Sequence, residues 1–215
     1  MAFAFSFSVV DMYRQCPKKY YHLKVLKDFK DSDSSFAAEG KEIHEALKAR
    51  VIDGSPLPLQ LRYLEPMASR FADKEGEKHG EVQLALNHNF EPCAWYDDEC
   101  YVRAIIDLLI VNGPHALVVD WKTGKVRPKA DQLKLAAAVL SRQMPELKEF
   151  TLAFVWVKHK EITSLKIEVG NMEDVWSDWI EAANEIEAAI KTTDFPAEPS
   201  PLCKWCPVTS CPHHV

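Results

Sequence analysis

The sequence predicts an α/β fold, with a mixed central β-sheet flanked by helices in one domain. Three observations predict it. Helical and strand patterns follow one another in the order helix, helix, strands, helix, strands, helix. The 215 residues, 47% hydrophobic and 27% charged, suffice for one good-sized core. Two apolar runs, Cys100 to Val111 and Ala116 to Trp121, flank the short turn-forming segment 112–115. This balance excludes a disordered chain, which lacks the apolar surface to offset its conformational entropy. No apolar run approaches the roughly 18 residues needed to cross a bilayer.

The elements follow in chain order. Ser8 is the expected cap of a short helix that stops at Cys16-Pro17. Residues 24–35 are polar and read as a loop. A helix is expected over 36–52, where Ile43, Leu47 and Val51 recur every four residues; Gly54, Pro56 and Pro58 break it. A second helix is expected over 60–75, then a strand from Glu81 to Leu86. After the hairpin comes a Leu- and Ala-rich helix over 129–142 and two strands near 150–158 and 161–169. Asn171 is placed to cap a helix over 172–191, with Val175, Trp179, Ala183 and Ile186 on one face. Five prolines between Phe195 and Val215 argue against regular structure in the tail.

The hairpin brings two acids together. With Val111 opposite Ala116, counting back sets Leu108 opposite Val119 and Asp107 opposite Asp120. Such partners share a face, with Cβ atoms about 4.5–5.5 Å apart. Like charges that close are destabilising unless a proton or cation intervenes. Lys122, two residues beyond Asp120, projects from the same face. Gly113-Pro114 is an awkward two-residue turn, and a bulge there would shift the register by one. Hard divalent cations take carboxylate oxygens, and a nearby ammonium offsets charge developing on a phosphoryl group. The alternative is a structural Asp-Lys cluster at strand ends. His44, four residues after Gly40 on the same helical face, offers a nitrogen ligand, or else is a hydrogen-bonded core histidine. Glu81 is an acid at the edge of this group or a plain strand-end charge.

Six cysteines lie at 16, 93, 100, 203, 206 and 211. The N-terminal stretch is apolar but has no basic leader, so it is not read as a signal peptide; a reducing, cytoplasmic setting is expected, the host cytoplasm for a phage protein. Clustered cysteines there point to metal or catalysis. Cys203, Cys206 and Cys211 supply three thiolates, and Cys16 is the natural fourth ligand, with His213 and His214 as rivals. Thiolate sites suit zinc or iron–sulfur, and spacing leaves both open. Cys93 and Cys100 read as ordinary thiols.

Together these residues resemble the RecB-type branch of the PD-(D/E)xK nuclease superfamily, above all its iron–sulfur members, the CRISPR-associated exonucleases and the nuclease domain of the AddB subunit. The matching pieces run in family order from residue 6 to residue 211: Ser6-Phe7-Ser8 with Tyr13, Cys16-Pro17 and Tyr20-Tyr21; Gly40 and His44; Ile105-Ile106-Asp107; Val119 to Gly124; Gln132; and the three late cysteines. The resemblance implies a restriction-endonuclease-like core in a single nuclease domain, 1–215. It implies that His44, Asp107, Asp120 and the Trp121 carbonyl bind Mg²⁺ or Mn²⁺, that Lys122 is catalytic, and that Gln132 organises the site. It also implies a [4Fe–4S] cluster on Cys16, Cys203, Cys206 and Cys211, formed by residues 1–30 and 195–215 and joining the two termini. The sequence departs from the family at three points: Ala136 replaces a tyrosine, Ala104 a glycine, and the last cysteine gap is four residues rather than five.

The implied activity is a metal-dependent DNA exonuclease acting on single strands or ends in recombination, repair, or phage or CRISPR DNA processing. The alternative is a catalytically silent module that binds DNA ends or a partner and keeps a structural iron–sulfur or zinc site. No helicase motor or Walker loop is visible, so unwinding needs a helicase or recombination partner. The formal net charge is −6, so DNA binding has to use local patches. Lys122, Lys125, Arg127, Lys129 and Lys134 form one, and Arg14, Lys18, Lys19, Lys24 and Lys27 another; the alternative is solvated helix faces. Tyr20, Tyr21, Trp95, Trp121 and Trp205 are candidate base-stacking surfaces, or else core.

Overall fold

Helix α1 (Phe7–Gln15) starts at Ser6, whose extended backbone lets its hydroxyl accept from Val9 N at 3.4 Å. Ser8, the expected cap, already lies inside the first turn, where the backbone is helical and a side chain no longer caps. Cys16 is extended (φ −168°) and breaks the helix; Pro17 then opens α2 (Pro17–Tyr20), where its missing N–H costs nothing. The chain continues as a wider π-type turn over Tyr21–Leu26 and stops at Lys27, φ 57°. The expected loop therefore begins three residues later than the polar composition suggested. The structure, a computed structural model, describes residues 3–31, 35–126 and 130–214.

Helix α3 (Ser35–Ile52) buries Ile43, Leu47 and Val51, the residues its four-residue periodicity marks. The next expected helix is split into a 3₁₀ run, Leu59–Leu64, and α4 (Glu65–Ala72). Pro66 is the cause: it lacks the N–H an uninterrupted helix needs, and it fits the first turn of a new one.

Five strands follow: β1 (Glu77–Asn87), β2 (Cys100–Asn112), β3 (His115–Lys122), β4 (Glu149–Trp156) and β5 (Glu161–Glu168). They lie in the order β1-β2-β3-β4-β5. The β3–β4 pair is parallel and the other pairs are antiparallel, so the sheet is mixed. Helix α5 (Asp131–Gln143) makes the crossover that a parallel pair requires. The hairpin register is the expected one, from Val111 opposite Ala116 to Leu108 opposite Val119. Gly113 takes φ 56°, and the Pro114 carbonyl accepts from Lys148 N at 2.8 Å and Glu149 N at 3.3 Å, tying the turn to the start of β4. Gly-Pro thus makes the turn without a bulge.

The sheet is covered on both faces. Helices α1, α5 and α6 (Met172–Thr192) pack on one, where Val118, Leu152 and Phe154 meet Leu135, Val139 and Trp179. Helices α3 and α4 pack on the other, where Leu108, Val119, Trp121 and Val155 meet Ile43, Leu47 and Phe71. Val175, Trp179, Ala183 and Ile186 of α6 are buried, as their spacing predicts. Asn171 stands before α6 but its side chain makes no capping bond.

Strand β2 changes phase in its middle. Leu108 faces α3 and α4, whereas Ile106 packs in the opposite layer. Residues two apart share a face in a regular strand, so the break falls at Asp107. The β1–β2 pairing lapses at the same point, opposite Glu81, whose φ is 52°. The tail docks on α2: Lys18 N donates to Pro196 O at 3.1 Å, and Phe195 stacks on Tyr21 with centroids 4.5 Å apart. Among the described residues beyond it, only Cys203–Trp205 is helical. No helix among the described residues is long and apolar enough to cross a membrane.

Candidate active site

The regular β2–β3 ladder stops at Leu108 and Val119, one step short of the two acids. Instead of a ladder bond, Trp121 N donates to Asp107 Oδ2 at 2.8 Å. Asp107 and Asp120 therefore flank the opening end of the hairpin. His44 of α3 reaches the same place, its Nδ1 3.5 Å from Asp107 Oδ2. An added Cβ at Gly40, one turn before His44, would stand 3.4 Å from Thr123 Oγ1. Helix α3 thus comes within a methyl group of the chain leaving β3.

Asp120 is only 6% exposed. Its Oδ1 accepts from Gln132 Nε2 at 2.6 Å, and Gln132 Oε1 accepts from Lys122 Nζ at 2.8 Å. Lys122 Nζ also lies 2.7 Å from Asp120 Oδ2, an ion pair without hydrogen-bond alignment, so this buried oxygen has no directed partner. The lysine stays over the Phe154 ring, 5.4 Å from its centroid. One glutamine at the start of α5 thus fixes both the acid and the amine.

Burial pushes the Asp120 carboxyl up to about 6; Lys122 opposes that rise and the negative charge of Asp107 adds to it. For His44, burial lowers the imidazole pKa, but the hydrogen bond and charge of Asp107, the charge of Asp120 and the Trp121 backbone together raise it above its ordinary value. Asp120 and His44 thus act on one another, and the charge of Asp107 acts on both.

Carboxylate oxygens, one imidazole nitrogen and a backbone carbonyl form a donor set that suits Mg²⁺ or Mn²⁺. Asp120 Oδ2, buried and met only by the ion pair with Lys122, is the oxygen that fits that reading. Among the described residues, no three His, Cys, Asp or Glu side chains are gathered closely enough to hold an ion without adjustment. Here Gln132 and Lys122 occupy the Asp120 oxygens, and an entering cation has to displace the ammonium from Oδ2. Glu81 stays outside this group, paired with Lys48.

Cys16, Cys203, Cys206 and Cys211 all line one cavity of about 220 Å³, with His213 and His214 also on its wall. Two backbone amides point at sulfurs: Lys19 N to Cys16 Sγ at 3.4 Å and Ser200 N to Cys203 Sγ at 3.3 Å. Cys93 and Cys100 lie apart from this cavity, and burial together with neighbouring Cys100 pushes the Cys93 thiol up to about 11.

Of the proposed stacking residues, Tyr20 and Trp121 are buried core; Trp121 packs edge-on against Phe71 at 5.1 Å. Trp205 is exposed, with Lys204 above its ring. Arg14 lies over Trp179, and Lys24, Lys27 and Lys125 are exposed. Arg127 and Lys129 lie outside the described residues. The sequence reading missed two contacts: the double grip of Gln132 and the Trp121 N–H bond to Asp107. The first had a signal in the Gln at the start of a helix; the second had none.

A family model described as the PD-(D/E)XK nuclease superfamily matches residues 56–212. No functionally curated protein matched. Among solved structures, a proposed exonuclease from Eubacterium rectale superposes with a TM-score of 0.56 at 11% identity, covering 94% of this chain and 86% of its own. The protein SSO0001 gives a TM-score of 0.45 at 16% identity, with 96% and 86% covered.

Proposed function

This chain belongs to the PD-(D/E)XK nuclease superfamily, and from that premise we propose that it is a divalent-metal-dependent DNA exonuclease. The observation that carries the reading is the meeting of His44, Asp107, Asp120 and Lys122 at the open end of the β2–β3 hairpin. His44, Asp107, Asp120 and the Trp121 carbonyl would hold Mg²⁺ or Mn²⁺. When bound, such an ion polarises the scissile phosphodiester and makes attack by water easier.

The protein's own groups do the rest. The Trp121 amide holds the Asp107 carboxylate and Gln132 that of Asp120, so each carboxylate keeps its place when Lys122 withdraws from Asp120 Oδ2. Lys122 is the one cation of this group and offsets charge as it builds on the phosphoryl oxygens. A water oxygen bonds to phosphorus, one ester P–O bond breaks, and the departing oxygen takes up a proton. Lys122 leaves Asp120 for the phosphate, while Gln132 keeps its aim. In this reading residues 1–215 form one nuclease domain. Its 1–30 and 195–215 segments hold a structural [4Fe–4S] cluster on Cys16, Cys203, Cys206 and Cys211, or zinc in its place.

The test is digestion of end-labelled single- and double-stranded DNA with Mg²⁺ or Mn²⁺. Wild type is expected to shorten the label stepwise and to stop when EDTA is added. Asp120→Ala and Lys122→Ala are each expected to lose about 10²–10³-fold in rate. Full activity in either variant overturns the site. DNA binding with no cleavage under any divalent ion replaces the enzyme by a binding module.

A further inference from the structure

A second cavity, of about 430 Å³, adjoins the candidate active site and shares Gln132 with it. Its walls carry Ser6, Ser8, Lys24, Trp95 and Arg103. No Asp or Glu is among the described residues that line it, although the chain holds 32 acids against 26 Lys and Arg. Two cations around a space free of carboxylates make it a place for an anion.

Arg103 is the central feature. It lies on β2, four residues before Asp107, and its backbone N–H bonds Phe5 O at 2.9 Å. That bond and the short parallel bridge of Phe5 to Val102 hold the N-terminal segment against β2. The guanidinium sits over Trp95, 5.5 Å from the ring centroid, and its Nε is buried with no hydrogen-bond partner. No ion pair to Arg103 occurs among the described residues. A buried donor left unmade costs free energy that a ligand oxygen returns. An arginine fork suits phosphate oxygens, and of the two serine hydroxyls, bonded to each other at 3.1 Å, one keeps its O–H as a further donor. Trp95 also lines the space and offers an aromatic surface to a base.

From these observations we infer that this cavity receives one unpaired nucleotide of a DNA strand, with Arg103 on its phosphate, next to the phosphodiester held at Asp120 and Lys122. The volume is that of a small-ligand pocket, too confined for a duplex. The site therefore selects single-stranded DNA or an overhang. The inference rests on the proposed nuclease reading for its polarity toward the acids, but the binding it asserts needs no cleavage.

The test is binding in EDTA, read by fluorescence anisotropy with a labelled 12-mer single strand and the corresponding blunt duplex over a range of salt. Wild type is expected to bind the single strand at least tenfold tighter. Arg103→Gln is expected to weaken single-strand binding about tenfold and to lower the slope of log K against log salt by about 0.7. Lys24→Gln, at an exposed side chain that folding does not need, is expected to lower the slope similarly and so covers the case of a misfolded Arg103 variant. Unchanged affinity and slope in both variants overturns the inference, as does equal binding of strand and duplex. Strand-selective binding that Arg103 controls, in a protein that cleaves nothing, overturns the nuclease reading alone. Cleavage by a protein whose binding is indifferent to Arg103 and Lys24 overturns this inference alone.

Discussion

At the residue scale, Asp120 shows what the site costs the fold. Its carboxyl titrates near 6 when folded, against an ordinary 3.8, because burial outweighs the help of Lys122. The folded chain therefore holds a proton that the unfolded chain releases. Stability from this group is fully present below pH 3.8 and is lost as pH rises through 6. Asp120→Asn removes that loss and keeps an oxygen for Gln132. In EDTA-treated protein the variant is expected to melt higher at pH 8 by a few degrees, the roughly 3 kcal/mol that the shift represents being offset in part by the lost ion pair with Lys122, with the gap closing toward pH 4. Thermal melts over that pH range check it; a variant that melts lower at pH 8 contradicts the assignment. The pair Asp120 and Lys122 was legible, because alternation in a strand sets residues two apart on one side. That Gln132 serves the site was implied by the resemblance; that it holds the acid and the amine at once was not legible, since it depends on where a helix docks ten residues later.

At the element scale, the hairpin was readable to the residue because a two-residue turn fixes every pair above it. The place where that pattern failed is informative. Extrapolating the ladder sets Asp107 opposite Asp120, but the strand changes phase at Asp107 and its carboxylate takes the Trp121 amide. Nothing in an apolar run of Ile, Leu and Val announces such a break. Helix ends were less legible than helix bodies: Ser6 and Ser8 are both capping types, and only the extended backbone of Ser6 decides between them. Ser6→Ala is expected to cost about 1 kcal/mol, measured by urea unfolding, and Ser8→Ala clearly less. Equal losses would move the cap. Likewise, Pro66 was visible in sequence, but its meaning depended on whether α4 began or continued there.

At the scale of the whole molecule, the two ends of the chain meet. Cys16 and the three late cysteines share one cavity, and Phe195 with Pro196 seats the tail on α2. A cluster there would tie the tail down where it has little regular structure of its own. Cys16→Ser is expected to lose more than half the metal of anaerobically purified protein, with absorbance at roughly 400 nm falling in step. In limited proteolysis the segment after Phe195 is expected to be cut first. Iron retained in full removes Cys16 from the ligand set, a colourless protein with one zinc overturns the iron assignment, and both leave the acidic site untouched. The hairpin tip has a different lesson. Gly113 and Pro114 are exposed, the setting in which inserted peptides and relocated termini are usually accepted. Yet the Pro114 carbonyl is where β4 begins its alignment with β3. A tag spliced into this corner would unhook two strand partnerships at once, so an engineer seeking a permissive surface loop in this protein should look elsewhere.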